Sequence, residues 1–82
     1  MFISKQFRQD LKFWVKTNRK IALRVLDLME DTLRKPFTGK GKPESLKHLP
    51  GNVWSRRITK QDRLVYRVYE DKVDFLQARY HY

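Results

Sequence analysis

Three alternating runs in the C-terminal part of the chain constrain its fold more than any other feature. Val53–Thr59, Arg63–Tyr69 and Val73–His81 each read with period two, the period at which successive side chains of a strand point to opposite faces. Gln61-Asp62 and Asp71-Lys72 between them are turn-like, so the three runs predict an antiparallel meander. Alternation also sorts the side chains. One face takes Trp54 and Ile58, then Leu64, Tyr66 and Val68, then Leu76, Ala78 and Tyr80. The other takes Ser55, Arg57 and Thr59, then Arg63, Val65 and Arg67, then Gln77, Arg79 and His81. The first face is apolar and needs a cover.

The N-terminal part supplies that cover. Phe2 and Ile3 read as a short strand or the lead-in to one, and Ser4 as the cap of a first helix. Phe7, Leu11, Trp14 and Val15 fall on one face of that helix. Thr17-Asn18 breaks the pattern, with Asn18 placed to cap a second helix. Ile21, Val25, Leu28 and Met29 repeat the spacing, and Ala22, Leu26 and Leu33 widen the stripe. Pro36 ends this helix by biasing Lys35 away from the α region. The expectation is an α+β fold: an N-terminal helical hairpin packed on one face of a small antiparallel β-sheet. A single domain spans 1–82, with the short strand and hairpin in 1–36, a basic Gly/Pro loop in 37–52, and the meander and tail in 53–82. A chain of 82 residues has a small core, yet one that can suffice without staples. The loop holds all three glycines and two of the three prolines, and Leu46 and Leu49 should pin it to the core. A loop of this length in a small domain is usually functional or disordered.

Charge narrows the partners. Nineteen Lys and Arg against nine Asp and Glu give a formal +10, more than a fold needs and a source of self-repulsion. A polyanion is the usual reason, and nucleic acid fits better than an acidic membrane surface or an acidic protein. There is no cysteine, which excludes disulfides and thiolate metal sites and suits a reducing cytoplasm. Met1–Lys5 has no apolar stretch of the kind a secretory signal carries, and no run approaches the ~20 apolar residues of a membrane span.

The polar sheet face carries Arg57, Arg63, Arg67, Arg79 and His81. The guanidinium fork matches phosphate oxygens, and an imidazole titrates near neutrality. With Glu44 from the loop, these groups suit cleavage of RNA by its own 2′-hydroxyl. That reaction needs a base, cations for the charge growing on phosphorus, and an acid for the 5′-oxygen. No metal ligand set is apparent in two histidines and scattered carboxylates, and no cofactor is expected. Bland readings stand beside these. Glu44 could only pair with Lys42 or Lys47, His48 reads as structural, and Tyr80 as core. Gly39-Lys40-Gly41-Lys42 lacks the Walker spacing and its strand–helix context. Tyr82 could stack on a base. The residues alone thus reach a basic RNA-binding domain with a candidate nuclease site.

Several motifs go further. Pro36-Phe37, Gly39-Lys40-Gly41-Lys42-Pro43-Glu44, Leu46-Lys47, Trp54-Ser55-Arg56-Arg57-Ile58, Arg63-Leu64-Val65-Tyr66 and Arg79-Tyr80-His81-Tyr82 closely resemble the YoeB (Txe/YoeB) toxins of bacterial type II toxin–antitoxin modules, within the RelE/ParE superfamily. The resemblance implies a RelE-like microbial RNase fold. It also implies a ribosome-dependent endonuclease that cuts mRNA in the ribosomal A site, inhibits translation, and leaves a 2′,3′-cyclic phosphate and a 5′-hydroxyl. On this resemblance Glu44 is the general base and His81 the general acid. Arg63 stabilises the phosphate with help from Arg57, and Lys47 and Tyr82 place the substrate; Arg79, from its place on the polar sheet face, is a further phosphate-binding candidate. Implied partners are an acidic YefM-like antitoxin, the ribosome with its A-site mRNA, a second copy of the chain, and operator DNA for the toxin–antitoxin complex. One departure is visible: the position before Arg63, often His in the family, is Asp62. Strand alternation would turn Asp62 away from Arg63, so little effect on that arginine is expected. Two other readings differ in class. One is a ParE-like toxin that inhibits gyrase without cutting RNA; the other is a plain RNA-binding module.

Overall fold

A two-residue strand, β1 (Phe2–Ile3), leads into two helices, α1 (Lys5–Thr17) and α2 (Arg19–Arg34). Four strands come after them: β2 (Glu44–Ser45), β3 (Val53–Arg57), β4 (Arg63–Val68) and β5 (Val73–Gln77). The computed structural model describes residues 1–80. All five strands form one sheet in the order β1-β5-β4-β3-β2. The expected meander is there as β3, β4 and β5, each antiparallel to the next. Two additions complete it. β2, inside the stretch read as loop, pairs antiparallel with β3, and β1 pairs parallel with β5. The sheet is therefore mixed at one edge.

The helix starts are built as their capping residues predict. The Ser4 hydroxyl accepts from Phe7 N (3.0 Å) and donates to Leu76 O (2.7 Å). Its backbone N donates to Phe75 O (3.0 Å), so one residue caps α1 and ties it to β5. Asn18 Oδ1 accepts from Ile21 N at the start of α2. That helix stops at Arg34, just ahead of Lys35-Pro36.

Both helices cover one face of the sheet. Phe7, Trp14, Ala22, Val25, Leu28 and Met29 meet Ile58, Leu64, Tyr66, Val73, Phe75 and Ala78 in the main core. Val15, Leu26 and Leu33, expected on the buried stripes, are 53%, 46% and 48% exposed. Each helix turns only one arc toward so narrow a sheet, and on α2 Thr32 is buried in that arc instead. A second cluster lies elsewhere: Leu46, Val53 and Val65, flanked by Leu49 and Leu76. Leu46 and Leu49 thus pin their loop, but to this cluster and not to the main core.

Leu76, expected on the helix-covered face, is displaced by a β-bulge. Val65 pairs with Gln77, while Tyr66 pairs with Phe75, so Leu76 and Gln77 together oppose one residue. The phase slips, and Val73, Phe75 and Ala78 take the core positions. β5 also ends at Gln77, short of the expected His81. At Ala78, helix side chains replace strand partners. Ala78 N donates to Asp10 Oδ2 (2.9 Å), and Trp14 Nε1 donates to Ala78 O (2.7 Å). Tyr80, expected in the core, is 61% exposed and has φ +65°.

Candidate active site

Register brings the expected base toward two of the expected arginines. Glu44 pairs with Ser55, and Arg57 faces Arg63 across β3 and β4. Paired residues share a face, and so do residues two apart on a strand. Glu44, Ser55, Arg57 and Arg63 therefore stand on the sheet face turned away from the helices. Diagonal neighbours in adjacent rows are about 7–8 Å apart at their Cα atoms, which places Glu44 one row from the Arg57–Arg63 pair. Glu44 and Arg57 are exposed and Arg63 is half-buried. The floor beside them is apolar: Val65 and Ser55 are buried, with Leu46 and Leu49 over this side. Lys47 is exposed between those two leucines, in the turn after β2. Arg67 lies farther along β4, paired with Val53 on one side and Asp74 on the other, and its guanidinium donates to Pro50 O (3.4 Å).

What holds Glu44 there is a buried arginine. Arg56 alternates with Arg57 and so enters the helix side, where it is fully buried. Its Nη1 donates to Asp31 Oδ2 (2.7 Å) and Lys40 O (3.0 Å), and its Nη2 to Thr38 O (2.9 Å) and Lys35 O. Its Nε donates to the Tyr66 hydroxyl (3.2 Å), which itself donates to Pro36 O (2.6 Å). Burial pushes the Tyr66 phenol above its ordinary value, keeping it a neutral donor. Asp31 accepts from Lys40 N (2.8 Å) as well. That N–H, together with Arg56 and Arg34, holds the Asp31 carboxyl down at about 2 against the opposing effect of burial. The chain from Lys35 to Lys40 is thus wrapped on one guanidinium.

This wrapping explains the glycines of the loop. Gly39 has φ +107°, and a Cβ there would collide with the Asp31 carboxylate. Gly41 has φ +78°, and a Cβ would press on Leu28, Arg56 and the Arg57 carbonyl at 3.0–3.1 Å. They serve close packing on the Arg56–Asp31 pair. Gly41 O then accepts from Arg57 N (2.7 Å), which delivers the chain to β2 and Glu44.

The other side of the site is the turn between β3 and β4. Arg63 Nη1 donates to Thr59 O (2.9 Å), Lys60 O (3.1 Å) and Asp62 O (3.1 Å). Among the described residues, its Nε and Nη2 have no partner. Arg24 of α2 donates to Ile58 O (2.8 Å) and Arg57 O (3.0 Å) and so fixes the end of β3. Arg79, expected beside Arg57 and Arg63, is elsewhere. Its guanidinium lies 3.4 Å from the ring centroid of Phe13 on α1, because the chain has left the sheet after Gln77. His81 and Tyr82 lie outside the described residues.

Two residues that shape the site were not singled out in the sequence, Arg56 and Asp31, and a third, Asp62, was given no part in it. Arg56 had a legible signal, since it shares parity with Trp54 and Ile58 on the covered face. A buried arginine needs a carboxylate, and Asp31 stands on the α2 arc that is buried. No ion pair joins Asp62 to the Arg63 guanidinium among the described residues, and Asp62 lies in the turn just ahead of β4, where strand alternation does not apply. It is engaged elsewhere: Oδ2 accepts from Thr59 Oγ1 (2.8 Å) and Oδ1 from Tyr80 N (2.7 Å).

Comparison with known proteins shows the family and the fold. Residues 3–82 match the family model described as a YoeB-like toxin of bacterial type II toxin–antitoxin systems. Toxin YoeB of Escherichia coli K12 is 46% identical over 79 residues, 96% of this chain and 94% of that one. A YoeB/ParE toxin from Agrobacterium tumefaciens superposes with a TM-score of 0.92 at 38% identity, covering 99% of this chain and 96% of that one. The Staphylococcus aureus YoeB has been solved as a dimer (TM-score 0.88, 34% identity) and with YefM (0.86, 35%), each covering 99% of this chain and 94% of that one.

Proposed function

The chain belongs to the YoeB-like toxins of bacterial type II toxin–antitoxin systems, and on that footing we propose that it is a ribosome-dependent mRNA endonuclease. The observation that carries the reading is the register of Glu44 on Ser55, one row from the facing Arg57 and Arg63. A ribose and its 3′-phosphate fit between such groups, with the carboxylate at the 2′-hydroxyl and the guanidinium groups at the phosphate.

The order of events rests on that placement. Glu44 takes the proton of the 2′-hydroxyl. The 2′-oxygen bonds to phosphorus, and Arg57 with the open edge of Arg63 meets the charge that develops on the phosphoryl oxygens. His81 gives a proton to the 5′-oxygen as its bond to phosphorus breaks. A 2′,3′-cyclic phosphate and a 5′-hydroxyl result, and the route uses no metal. Lys47 and Tyr82 would place the RNA. Arg79 has one guanidinium face over Phe13, which suits holding the tail and leaves its N–H edges for phosphate. The ribosome would present the A-site codon.

The partners obey the same logic. An acidic antitoxin of the YefM kind suits a chain of formal charge +10. Leu23, Leu26 and Leu33 leave an apolar stripe on α2 that is 46–60% exposed, and such stripes mark interaction surfaces. The Staphylococcus aureus relative was solved both with YefM and as a dimer, and we infer the same two associations here. Operator DNA would be bound by the toxin–antitoxin complex.

The test is primer extension on mRNA with purified ribosomes. Glu44→Gln and His81→Gln should each slow cutting by at least ~100-fold. Equal cutting by His81→Gln would overturn the acid assignment. Vigorous cutting of free RNA, or inhibition of gyrase supercoiling, would overturn the ribosome-dependent reading.

A further inference from the structure

Building on the reaction proposed above, we propose that Asp62 is a positioning residue: its carboxylate clasps the Tyr80 backbone and so aims the chain end that carries His81. Past Gln77 the regular ladder of β5 ends, yet the chain is held at two points. Ala78 gives its N–H to Asp10 and takes the Trp14 indole N–H on its carbonyl. Tyr80 gives its N–H to Asp62 Oδ1 (2.7 Å) and accepts from Arg63 N on its carbonyl (3.0 Å). Between these two residues, Arg79 lies over Phe13. At Tyr80 the backbone turns through φ +65°, a region that residues with a Cβ seldom enter unaided. Something must hold it there, and an N–H bonded to a carboxylate is among the stronger neutral-to-charged contacts available.

The clasp is itself braced. The second Asp62 oxygen accepts from Thr59 Oγ1 (2.8 Å), and Asp62 N donates back to that hydroxyl (3.0 Å). The Asp62 carbonyl accepts from Ile58 N (2.9 Å). One carboxylate thus commits one oxygen to the turn and the other to the tail. The same turn receives the Arg63 guanidinium through Nη1. Arg63, the phosphate ligand, and the residue preceding His81 are therefore registered on one short piece of backbone. Among the described residues Asp62 makes no ion pair, so its task is placement and not neutralisation of Arg63.

Two readouts separate this from a merely structural role. The first is amide hydrogen exchange. Asp62→Ala should speed exchange at Tyr80 by ~10-fold while leaving Leu64 and Tyr66 slow, since local opening differs from global unfolding. The second is ribosome-dependent cleavage, read as kcat and KM. Asp62→Ala should lower kcat by ~10–100-fold with KM within ~3-fold, the size of effect expected from a misplaced catalytic group. Asp62→Asn keeps an oxygen that can accept the Tyr80 N–H and should stay within ~3-fold of wild type. Asp62→Glu keeps the charge but moves it by a methylene, and should fall with alanine. Thr59→Val, which loosens the turn but spares the clasp, should cost less than Asp62→Ala.

Unchanged exchange at Tyr80 in Asp62→Ala would show that no clasp exists. Faster exchange with wild-type kcat, or Asp62→Glu matching Asp62→Asn, would overturn the positioning role. Should Asp62→Ala fail to fold, the Glu and Asn pair decides alone. A wild-type protein that cuts no A-site mRNA would sink the reaction and its catalytic consequence together, while hydrogen exchange would still decide the clasp.

Discussion

Arg56 and Asp31 show how much one buried pair can arrange. A lone buried guanidinium would be untenable, and this one meets a carboxylate, three carbonyls and a phenol. The pair gives the fold a defined acid response. The Asp31 carboxyl is held at about 2, below its usual 3.8, so the folded state binds this proton less readily than the unfolded chain does. Its contribution is complete above roughly pH 4 and is lost as pH falls toward about 2. Asp31→Asn should therefore be markedly less stable at neutral pH, and its urea midpoint should approach that of wild type as pH is stepped down through this window. Parallel midpoints across the window would mean that the pair contributes nothing specific. In the sequence, Arg56 looks like one more cation of a basic motif. Only parity along β3 distinguishes it from its neighbour Arg57, and which parity is buried depends on where the helices pack.

At the scale of elements, the helical hairpin and the three meander strands are legible in the sequence because period and turn chemistry are local. What is not legible is set by contacts distant in sequence. The slip at Leu76 arises because Val65 and Tyr66 pair with Gln77 and Phe75, and no pattern within 73–81 announces it. β2 is two residues in a Gly/Pro loop and exists because Arg56 gathers the preceding backbone. Glu44 could be named as a candidate base, but its register on Ser55, one row from the Arg57–Arg63 pair, could not be read. The helix stripes are ambiguous for a physical reason, since α2 has apolar residues on more than one arc. The structure assigns burial to Val25 and Leu28 and exposure to Leu26 and Leu33. Leu28→Ala should then cost ~2–5 kcal/mol through lost burial and a cavity. Leu33→Ser should stay within ~0.5 kcal/mol. Chemical denaturation of both variants checks the assignment, and a large loss for Leu33→Ser would mean that α2 is rotated from this placement.

For the whole molecule the question is what so much positive charge achieves. Part of it is structural, as the Arg56 network, the Arg63 turn and the Arg24 clasp show. Cations committed to carbonyls still contribute to the field around the protein, so committed and open arginines should differ in contact but not in attraction at long range. That distinction is measurable. Binding of a single-stranded RNA oligonucleotide should weaken with salt at a slope of about −0.7 in log K against log salt for each phosphate met. Arg57, exposed and without a hydrogen-bond partner for its side chain among the described residues, should meet one. Arg57→Ala should lower the magnitude of the slope by about 0.7. Arg24→Ala should weaken binding mainly through field and a looser β3 end, leaving the slope close to that of wild type. A slope that does not move with Arg57→Ala would place the RNA elsewhere, and would take the proposed site with it.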